Sequence, residues 1–324
     1  MEGNVLPGSS EVLLEVRCCS INIITKRSDQ QFLPDGFSKL PIIRSISGKI
    51  TKIGSNVKRF KIGDEVAGII PLDMAKTLHG IKTTLMQEEF LVHKPSELGW
   101  EVAACCLLDG LTAYTALHYQ AHIRPGDTLL LCNGSDSTGV LMAQIARHWG
   151  AKVLVTASSE EEAQILRMMS NNGPQVFGGH QLLHNFVMDE TGGLGVDCIV
   201  DNGIIVHDSS ITNNDEDFSK PTKHDIISCL AVGGKWITSQ SDLQIDPPDS
   251  EVLHMKGSSL CHLFPEMWTL STSQQGRYLH ILKDVLDKAA CGVIRPHLMT
   301  VLPASEVQSR SDLFPSKSCI VIKL

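Results

Sequence analysis

Residues 124–151 read RPGDTLLLCNGSDSTGVLMAQIARHWGA, and this stretch decides the predicted fold. A turn at 124–127 leads into the apolar run 128–132, which the small polar segment 133–138 ends. From Gly139 the apolar residues recur at helical spacing up to Gly150, and a second apolar run follows at 152–156. This pattern predicts a βαβ unit of a parallel sheet. Its loop lies where a dinucleotide pyrophosphate binds a helix N-terminus.

The loop of this unit is poorer in glycine than a full dinucleotide fingerprint. Only Gly134 and Gly139 remain, and Asp136 puts a carboxylate where an anion would lie. At about 5 Å that repulsion is worth about 3 kcal/mol, or on the order of a hundredfold in affinity. Asp136 could instead turn outward and cap the helix. Two interpretations therefore stay open, a nucleotide site and a structural turn without ligand.

Composition limits the class of protein. The chain has 324 residues, 42% of them hydrophobic and 20% charged, with a formal net charge of -8. This length suits two domains of an ordinary globular protein. The acidic balance, without a long basic block, predicts that nucleic acid and membrane are not partners. No apolar run reaches the length of a membrane span, and the N-terminal residues do not resemble a leader, so we expect a cytoplasmic protein.

The cysteines show no paired short spacing. A disulfide framework or a four-cysteine zinc site would need such pairs, so we expect buried, reduced thiols. The ten cysteines are Cys18, Cys19, Cys105, Cys106, Cys132, Cys198, Cys229, Cys261, Cys291 and Cys319.

The order of patterns along the chain predicts an α/β protein with two domains. Short alternating runs separated by turns fill the first part and predict a β-barrel. Helical periods at 101–108 and 111–119 open a second part, in which strands and helices alternate as in a doubly wound parallel sheet. We expect a strand at 252–264 and a helix at 278–290. The predicted domains are a barrel at 1–98, a dinucleotide-binding domain at 99–293, and a return to the barrel at 294–324.

Several segments resemble the zinc-free branch of the medium-chain dehydrogenase/reductase superfamily, the quinone oxidoreductases related to zeta-crystallin. The segments are GSNVKRFKIGDEVAGIIPLD (54–73), GLTAYTALHY (110–119), the βαβ unit, ETGGLGVD (190–197) and AVGGKWIT (231–238). The resemblance implies a GroES-like β-barrel domain and a Rossmann domain, with the cofactor in the cleft between them. It also implies that NADPH reduces quinones or conjugated enones, and that the protein is a homodimer or homotetramer.

The resemblance also implies chemistry without a metal. The positions at which zinc-dependent relatives carry ligands are here similar to Asn22, Arg44 and Ser45, which do not make a zinc set. Asn22 matches an asparagine that lies near the nicotinamide in zinc-free members, and it is a candidate for positioning the reactants. Its alternative is a turn residue.

Further site residues are carried over by position. Thr112 and Tyr114 match the part of the family that approaches the nicotinamide, and Thr112 is the second candidate catalytic residue. The alternative for Thr112 is a buried threonine that caps a helix turn. The pyrophosphate would meet Gly134, Ser135, Ser137, Thr138 and Gly139. The family usually has glycine at the positions of Ile43, Asn133, Asp136 and Ser137.

The second strand of the βαβ unit bears on the choice of cofactor. No acid stands at its end near 156–157, so Ser158 and Ser159 could face a 2′-phosphate, although three glutamates follow at once. With the resemblance, this favours NADP(H), and NAD(H) is the second option.

Two functions from different classes remain. The first is an NADPH-dependent quinone or enone oxidoreductase without a metal. The second is a catalytically impaired relative that acts as an NADP(H) sensor or a protein-binding scaffold. A catalytic dyad of His224 and Asp225 is rejected, because neighbours in sequence rarely point together and Asp225 is better explained as a helix N-terminal residue.

Overall fold

The computed structural model describes most of the chain. The described residues are 6–22, 31–33, 42–76, 81–157, 159–168, 174–177, 182–201, 221–297, 299–307 and 318–324. The polar, acidic segment 208–221, for which the sequence predicts an exposed loop, lies almost wholly outside them, and Ser158 lies outside them too.

The chain forms two compact units. The first comprises Met1–Leu111 with Pro265–Leu324, and the second comprises Thr112–Phe264. The second unit therefore begins and ends at other residues than the predicted dinucleotide-binding domain, and residues 265–293 lie in the first unit. The domain boundaries predicted from the sequence stay a proposal, since compactness does not measure independent folding.

The first unit is built on a mixed seven-stranded sheet. Five of its strands, β1 to β5, precede the second unit, and two, β12 and β13, follow it. The strands are β1 (Glu11–Asn22), β2 (Ile42–Ile53), β3 (Glu65–Ile69), β4 (Thr83–Gln87), β5 (Leu91–His93), β12 (Met299–Pro303) and β13 (Cys319–Lys323). One edge of β1 pairs with β2, while its other edge pairs first with β4 and then with β13. The end of the chain thus returns to the strand near its beginning, as expected for the GroES-like fold.

Among the described residues of this unit, three α-helices accompany the sheet. They are α1 (Trp100–Tyr114), which continues into the second unit, α7 (Met267–Leu270) and α8 (Gln275–Ala290). Helix α8 packs against the first unit through the buried Tyr278, whose ring meets the edge of Phe90 at 6.3 Å. This contact explains why α8 belongs to the first unit although its sequence position suggested the second.

The second unit contains a six-stranded sheet whose pairs are all parallel. Its strands are β6 (Thr128–Cys132), β7 (Lys152–Thr156), β8 (Gln175–Phe177), β9 (Val196–Asp201), β10 (Leu230–Thr238) and β11 (Ser259–His262). The spatial order β8-β7-β6-β9-β10-β11 is that of a Rossmann domain, with a switch point between β6 and β9. Ligands of such sheets bind outside the carboxyl ends of the strands at this point.

The described part of the second unit also contains five α-helices: α2 (Ser137–His148), α3 (Glu160–Met168), α4 (Leu183–Thr191), α5 (Lys223–Cys229) and α6 (Pro247–Met255). The central strands are apolar because helices cover both faces of a parallel sheet. Leu130, Leu154 and Ile199, on three neighbouring strands, are completely buried. The predicted βαβ unit is thus confirmed as β6, α2 and β7.

Two local predictions were wrong. The strand expected at 252–264 is instead the end of α6 followed by the short β11. The two helices expected on either side of residues 109–110 are one helix, because Gly110 lies inside α1. A Cβ atom at Gly110 would lie 2.5 Å from the Val285 side chain, so this glycine serves helix packing and does not end the helix.

Two general features complete the description. All ten cysteines are free thiols, and seven of them are buried. No helix in the described part of the chain combines the length and the apolarity that a membrane crossing needs.

Candidate functional site

The candidate site of the second unit is the glycine loop, residues 133–139, between β6 and α2. Its two glycines touch: a Cβ atom at Gly139 would lie 2.6 Å from the Gly134 backbone. A Cβ atom at Gly134 would in turn lie 2.8 Å from the Val155 side chain on β7. The loop therefore brings the first turn of α2 against the end of the sheet, as a dinucleotide loop does.

The loop is also tied to the neighbouring strand. Asn133 has a left-handed backbone with φ 54°, and its N–H donates to the Thr156 hydroxyl at 2.9 Å. The N–H of Gly134 donates to the Thr156 carbonyl oxygen at 3.3 Å. The first two backbone N–H groups of the loop are thus bonded to β7. A ligand would have to bind to the N–H groups of later loop residues.

Asp136 caps helix α2. Its carboxylate Oδ1 accepts the backbone N–H of Gly139 at 2.7 Å. Of the two orientations considered for this side chain, the structure has the capping one. The cap places a negative charge at the positive end of the helix dipole and uses an amide that was expected to meet a pyrophosphate.

A second carboxylate reaches the loop from helix α3. The Ser135 hydroxyl, which is buried, donates to Glu162 Oε2 at 2.6 Å. Ser159 caps α3, since its hydroxyl oxygen accepts the Glu162 N–H at 3.3 Å, and it donates to Glu161 at 3.3 Å. The structure thus links two of the predicted residues to Glu162, Ser135 through the carboxylate and Ser159 through the backbone N–H.

Ser137 and Thr138 are the first two residues of α2, and both are half-buried. This position agrees with the expectation that their hydroxyls face an anion at the helix N-terminus. Their contact with a cofactor stays a prediction.

Thr112 and Tyr114 lie on helix α1 and do not share a face, since residues two apart point about 200° away from each other. Thr112 is half-buried. The buried Tyr114 ring meets the edge of Trp149, just past the C-terminus of α2, at 5.3 Å. Trp149 is ten residues beyond Gly139, which is about 15 Å along a helix. Tyr114 is therefore held in the core, and its predicted cofactor contact remains untested.

Asn22, Arg44 and Ser45 belong to the first unit. Asn22 is exposed at the end of β1. Arg44 and Glu266 form a buried ion pair at 2.6 Å, and Ser45 is completely buried. A guanidinium bound to a carboxylate is no metal ligand. Among the described residues, no group of three or more His, Cys, Asp or Glu side chains could hold a metal ion.

Asp201 is a buried carboxylate at the switch point that sequence reasoning did not single out. It ends β9 beside Cys132 of β6, and it accepts hydrogen bonds from Trp236 Nε1 and, at 3.1 Å, from the Thr238 hydroxyl. Burial, and next the negative charge of Asp201, raise the pKa of the Cys132 thiol. The only signal in the sequence was a single acid at the end of an apolar strand.

The rejection of a His224–Asp225 dyad agrees with the structure. Asp225 forms a capping box with Thr222 at the start of α5. The exposed His224 Nδ1 instead lies 3.1 Å from Asp249.

Comparison with solved structures identifies the class of fold. An alcohol dehydrogenase superfamily protein from Novosphingobium aromaticivorans superposes with a TM-score of 0.78, at 18% identity, over 100% of this chain and 94% of the other. A mycobacterial quinone oxidoreductase does so with a TM-score of 0.77, at 20% identity, over 100% and 94%. The fold is that of the medium-chain dehydrogenase/reductase superfamily, with a GroES-like and a Rossmann part.

Sequence relatives narrow this class. No family model matches the chain. Quinone oxidoreductase-like protein 1 of Mus musculus is 38% identical over 306 residues, which cover 92% of this chain and 85% of the relative. Human quinone oxidoreductase is 25% identical over 256 residues, or 76% and 69%. The chain belongs to the quinone oxidoreductase-like protein 1 family and, with it, to the zinc-free oxidoreductases of the medium-chain type.

Proposed function

We propose that this chain transfers a hydride from a reduced nicotinamide dinucleotide to a quinone or a conjugated enone, without a metal. By resemblance the dinucleotide is NADP(H), with NAD(H) as the second option. The observation that carries the proposal is the close contact of Gly134 and Gly139 at the carboxyl end of β6, in a chain of this family. In Rossmann domains such glycines let the loop backbone approach a diphosphate at the helix N-terminus.

Residues of the second unit would hold the dinucleotide. Ser137 and Thr138 offer hydroxyls in the first turn of α2, next to the helix dipole that favours a diphosphate. Gly134 and Ser135 form the wall of the loop against β7 and α3. A bound nicotinamide would supply the hydride.

Asn22 and Thr112 are the proposed positioning residues for the acceptor and the nicotinamide. Reduction of a quinone or enone needs a polar group near the developing oxyanion, and an amide or a hydroxyl meets this need. No side chain has to act as an acid, because water protonates the product. The exposed Asn22 and the half-buried Thr112 are both accessible to a small molecule.

A second function is favoured by one contact. The bond from Gly139 to Asp136 places the chain's own anion where a diphosphate would lie. With this cap the chain would keep the fold of the family without its catalytic activity. It would then act as an NADP(H) sensor or as a protein-binding scaffold. Repulsion of about 3 kcal/mol at 5 Å weakens binding by on the order of a hundredfold and does not abolish it, so the oxidoreductase is the better supported proposal.

The test is a binding titration followed by a single-turnover assay. NADH and NADPH are titrated by nucleotide fluorescence, and acceptors of three kinds, an ortho-quinone, a para-quinone and an α,β-unsaturated ketone, are then mixed with the complex. Nucleotide labelled with deuterium at C4 should pass its label to the enone product. Binding without transfer to any acceptor would favour the sensor, and the absence of binding below about 1 mM would contradict both nucleotide-dependent functions.

A homodimer or homotetramer is part of the proposal. Strand β11 is the last strand of the parallel sheet and pairs with β10 alone among the described strands. An open strand edge offers backbone groups to a second copy. Sedimentation should give at least twice the chain mass of 35.4 kDa, and a monomeric mass would contradict the assembly.

A further inference from the structure

Glu162 is held against the glycine loop. Its Oε2 accepts the hydroxyl proton of Ser135 at 2.6 Å. Ser135 is only 5% exposed, so its hydroxyl has little access to water and fixes the carboxylate in place. An acid from the helix after β7 is thus in contact with the loop that follows β6.

The place of Glu162 in the chain is similar to that of the acid that binds the adenosine ribose in Rossmann domains. In Rossmann domains, an acidic side chain about 20 residues beyond the glycine motif accepts the ribose 2′-hydroxyl of NAD. Glu162 follows Gly139 by 23 positions. The acid normally ends the second strand, and its absence at 156–157 favoured NADP(H) in the sequence. In the structure the first turn of α3 supplies a carboxylate instead, that of Glu162, six residues beyond the end of β7 at Thr156.

A 2′-phosphate would find no cation on this segment. The sequence has no Lys or Arg from 153 to 166. Arg167, the next basic residue, binds Glu160 at 2.7 Å. Ser159, which was expected to face the 2′-phosphate, caps α3 and donates its hydroxyl to Glu161.

We propose that Glu162 makes the nucleotide site select NADH over NADPH, by accepting the ribose 2′-hydroxyl and repelling a 2′-phosphate. This inference rests on the proposed nucleotide-dependent function and revises its choice of cofactor. The Asp136 cap does not enter the selection, since both nucleotides carry the diphosphate that it opposes.

The experiment compares the dissociation constants of NADH and NADPH, by nucleotide fluorescence and calorimetry, for three full-length proteins. The unmodified protein should bind NADH at least about tenfold more tightly than NADPH. This ratio of affinities is expected for the repulsion between one carboxylate and a phosphate near the protein surface. Glu162→Gln should reduce this ratio by about tenfold, with NADPH binding more tightly than before. Glu161→Gln is the matched control, because it removes the same charge one position away, and its ratio should stay within about threefold of the unmodified value.

The outcomes separate the two proposals. Equal or tighter binding of NADPH by the unmodified protein would overturn the selection by Glu162 and leave the proposed function standing. Equal effects of the two substitutions would also overturn it, since the preference would then come from general negative charge. If neither nucleotide binds below about 1 mM, the proposed function fails and the selection fails with it. If Glu162→Gln does not fold, the unmodified protein still tests the proposal, since equal or tighter binding of NADPH would overturn it.

Discussion

The carboxylate of Asp136 accepts the backbone N–H of Gly139 at 2.7 Å, so the N-terminus of α2 carries an anion of the chain itself. Asn caps helices as well as Asp does, and Asp136→Asn therefore removes the charge and keeps the cap. We expect this substitution to tighten the binding of both NADH and NADPH by about tenfold to a hundredfold. Nucleotide fluorescence titrations measure both affinities.

The ratio of the two affinities should not change in Asp136→Asn, because the diphosphate is common to both nucleotides. Asp189→Asn, an exposed position near the end of α4, is the control for general charge and should leave both affinities within about twofold. Unchanged binding in Asp136→Asn would mean that the cap does not oppose the diphosphate.

Gly139→Ala tests the contact of helix and loop. The new Cβ atom would lie 2.6 Å from the Gly134 backbone, and neither backbone can move without shifting α2. We expect a loss of about 1–3 kcal/mol in the free energy of unfolding, as for overpacked cores, measured by urea denaturation.

Gly276→Ala is the matched control in another helix. Its Cβ atom would meet nothing within 4 Å, and alanine favours a helix by about 0.5–1 kcal/mol over glycine. The two substitutions are chemically identical and should have opposite signs. A stabilised Gly139→Ala protein would show that the loop has more room than the structure gives it.

The glycine loop shows how far sequence reasoning reaches. Apolar runs broken by Asn133 and closed by Gly150 were enough to predict β6, α2 and β7, because strand and helix periods are local properties. The sequence also allowed two orientations of Asp136 to be stated, and the helix cap was one of them. The bond between Ser135 and Glu162 could not be predicted, since it joins residues 27 apart whose distance only the packing of α3 fixes.

Packing also explains the local errors. The sequence predicted two helices, at 101–108 and 111–119, but Gly110 between them lies inside α1. Its lack of a side chain makes room for the Val285 side chain of α8, a contact between distant parts of the chain. At α6, Pro247 is the first helical residue, where its fixed φ is favourable. The proline indicates the start of a helix in the sequence as well, but the apolar residues after Val252 were interpreted as a strand.

The buried ion pair of Arg44 and Glu266 should be costly to break. Both side chains are less than about a tenth exposed, and the guanidinium lies 2.6 Å from the carboxylate. Glu266→Gln leaves Arg44 as a buried charge without its counter-ion, so we expect the free energy of unfolding to fall by about 3–5 kcal/mol. Urea denaturation measures this loss.

Replacing both partners is the informative comparison. Arg44→Met with Glu266→Leu removes both charges, and its stability should return to within about 2 kcal/mol of the unmodified protein. Asp287→Asn, which breaks the exposed pair with Lys283 on α8, is the control and should cost less than about 1 kcal/mol. A double variant as unstable as Glu266→Gln would show that packing, and not charge, dominates at this position.

The buried thiols should be unreactive until the protein unfolds. Cys291 is exposed whereas seven cysteines are buried, and thiol reagents attack the accessible thiolate. In a thiol-labelling time course on the native protein, Cys291→Ser should remove the fast phase. Rapid labelling that persists in this variant would show that a second thiol is accessible, and mass spectrometry of the labelled peptide would identify it.

The buried Cys19 thiol should make the stability of the protein depend on pH. Burial, and next the neighbouring Cys18, raise the pKa of the Cys19 thiol from 9.0 to about 12. The folded state therefore keeps its proton over a range in which the unfolded chain loses it. This contribution to stability is fully present below pH 9 and is lost as the pH rises towards about 12.

The free energy of unfolding should thus fall over this range, and less steeply in Cys19→Ala, when each protein is compared with its own value below pH 9. Cys291→Ala is the control and should keep the slope of the unmodified protein. Equal slopes in all three proteins would show that Cys19 does not contribute to the loss.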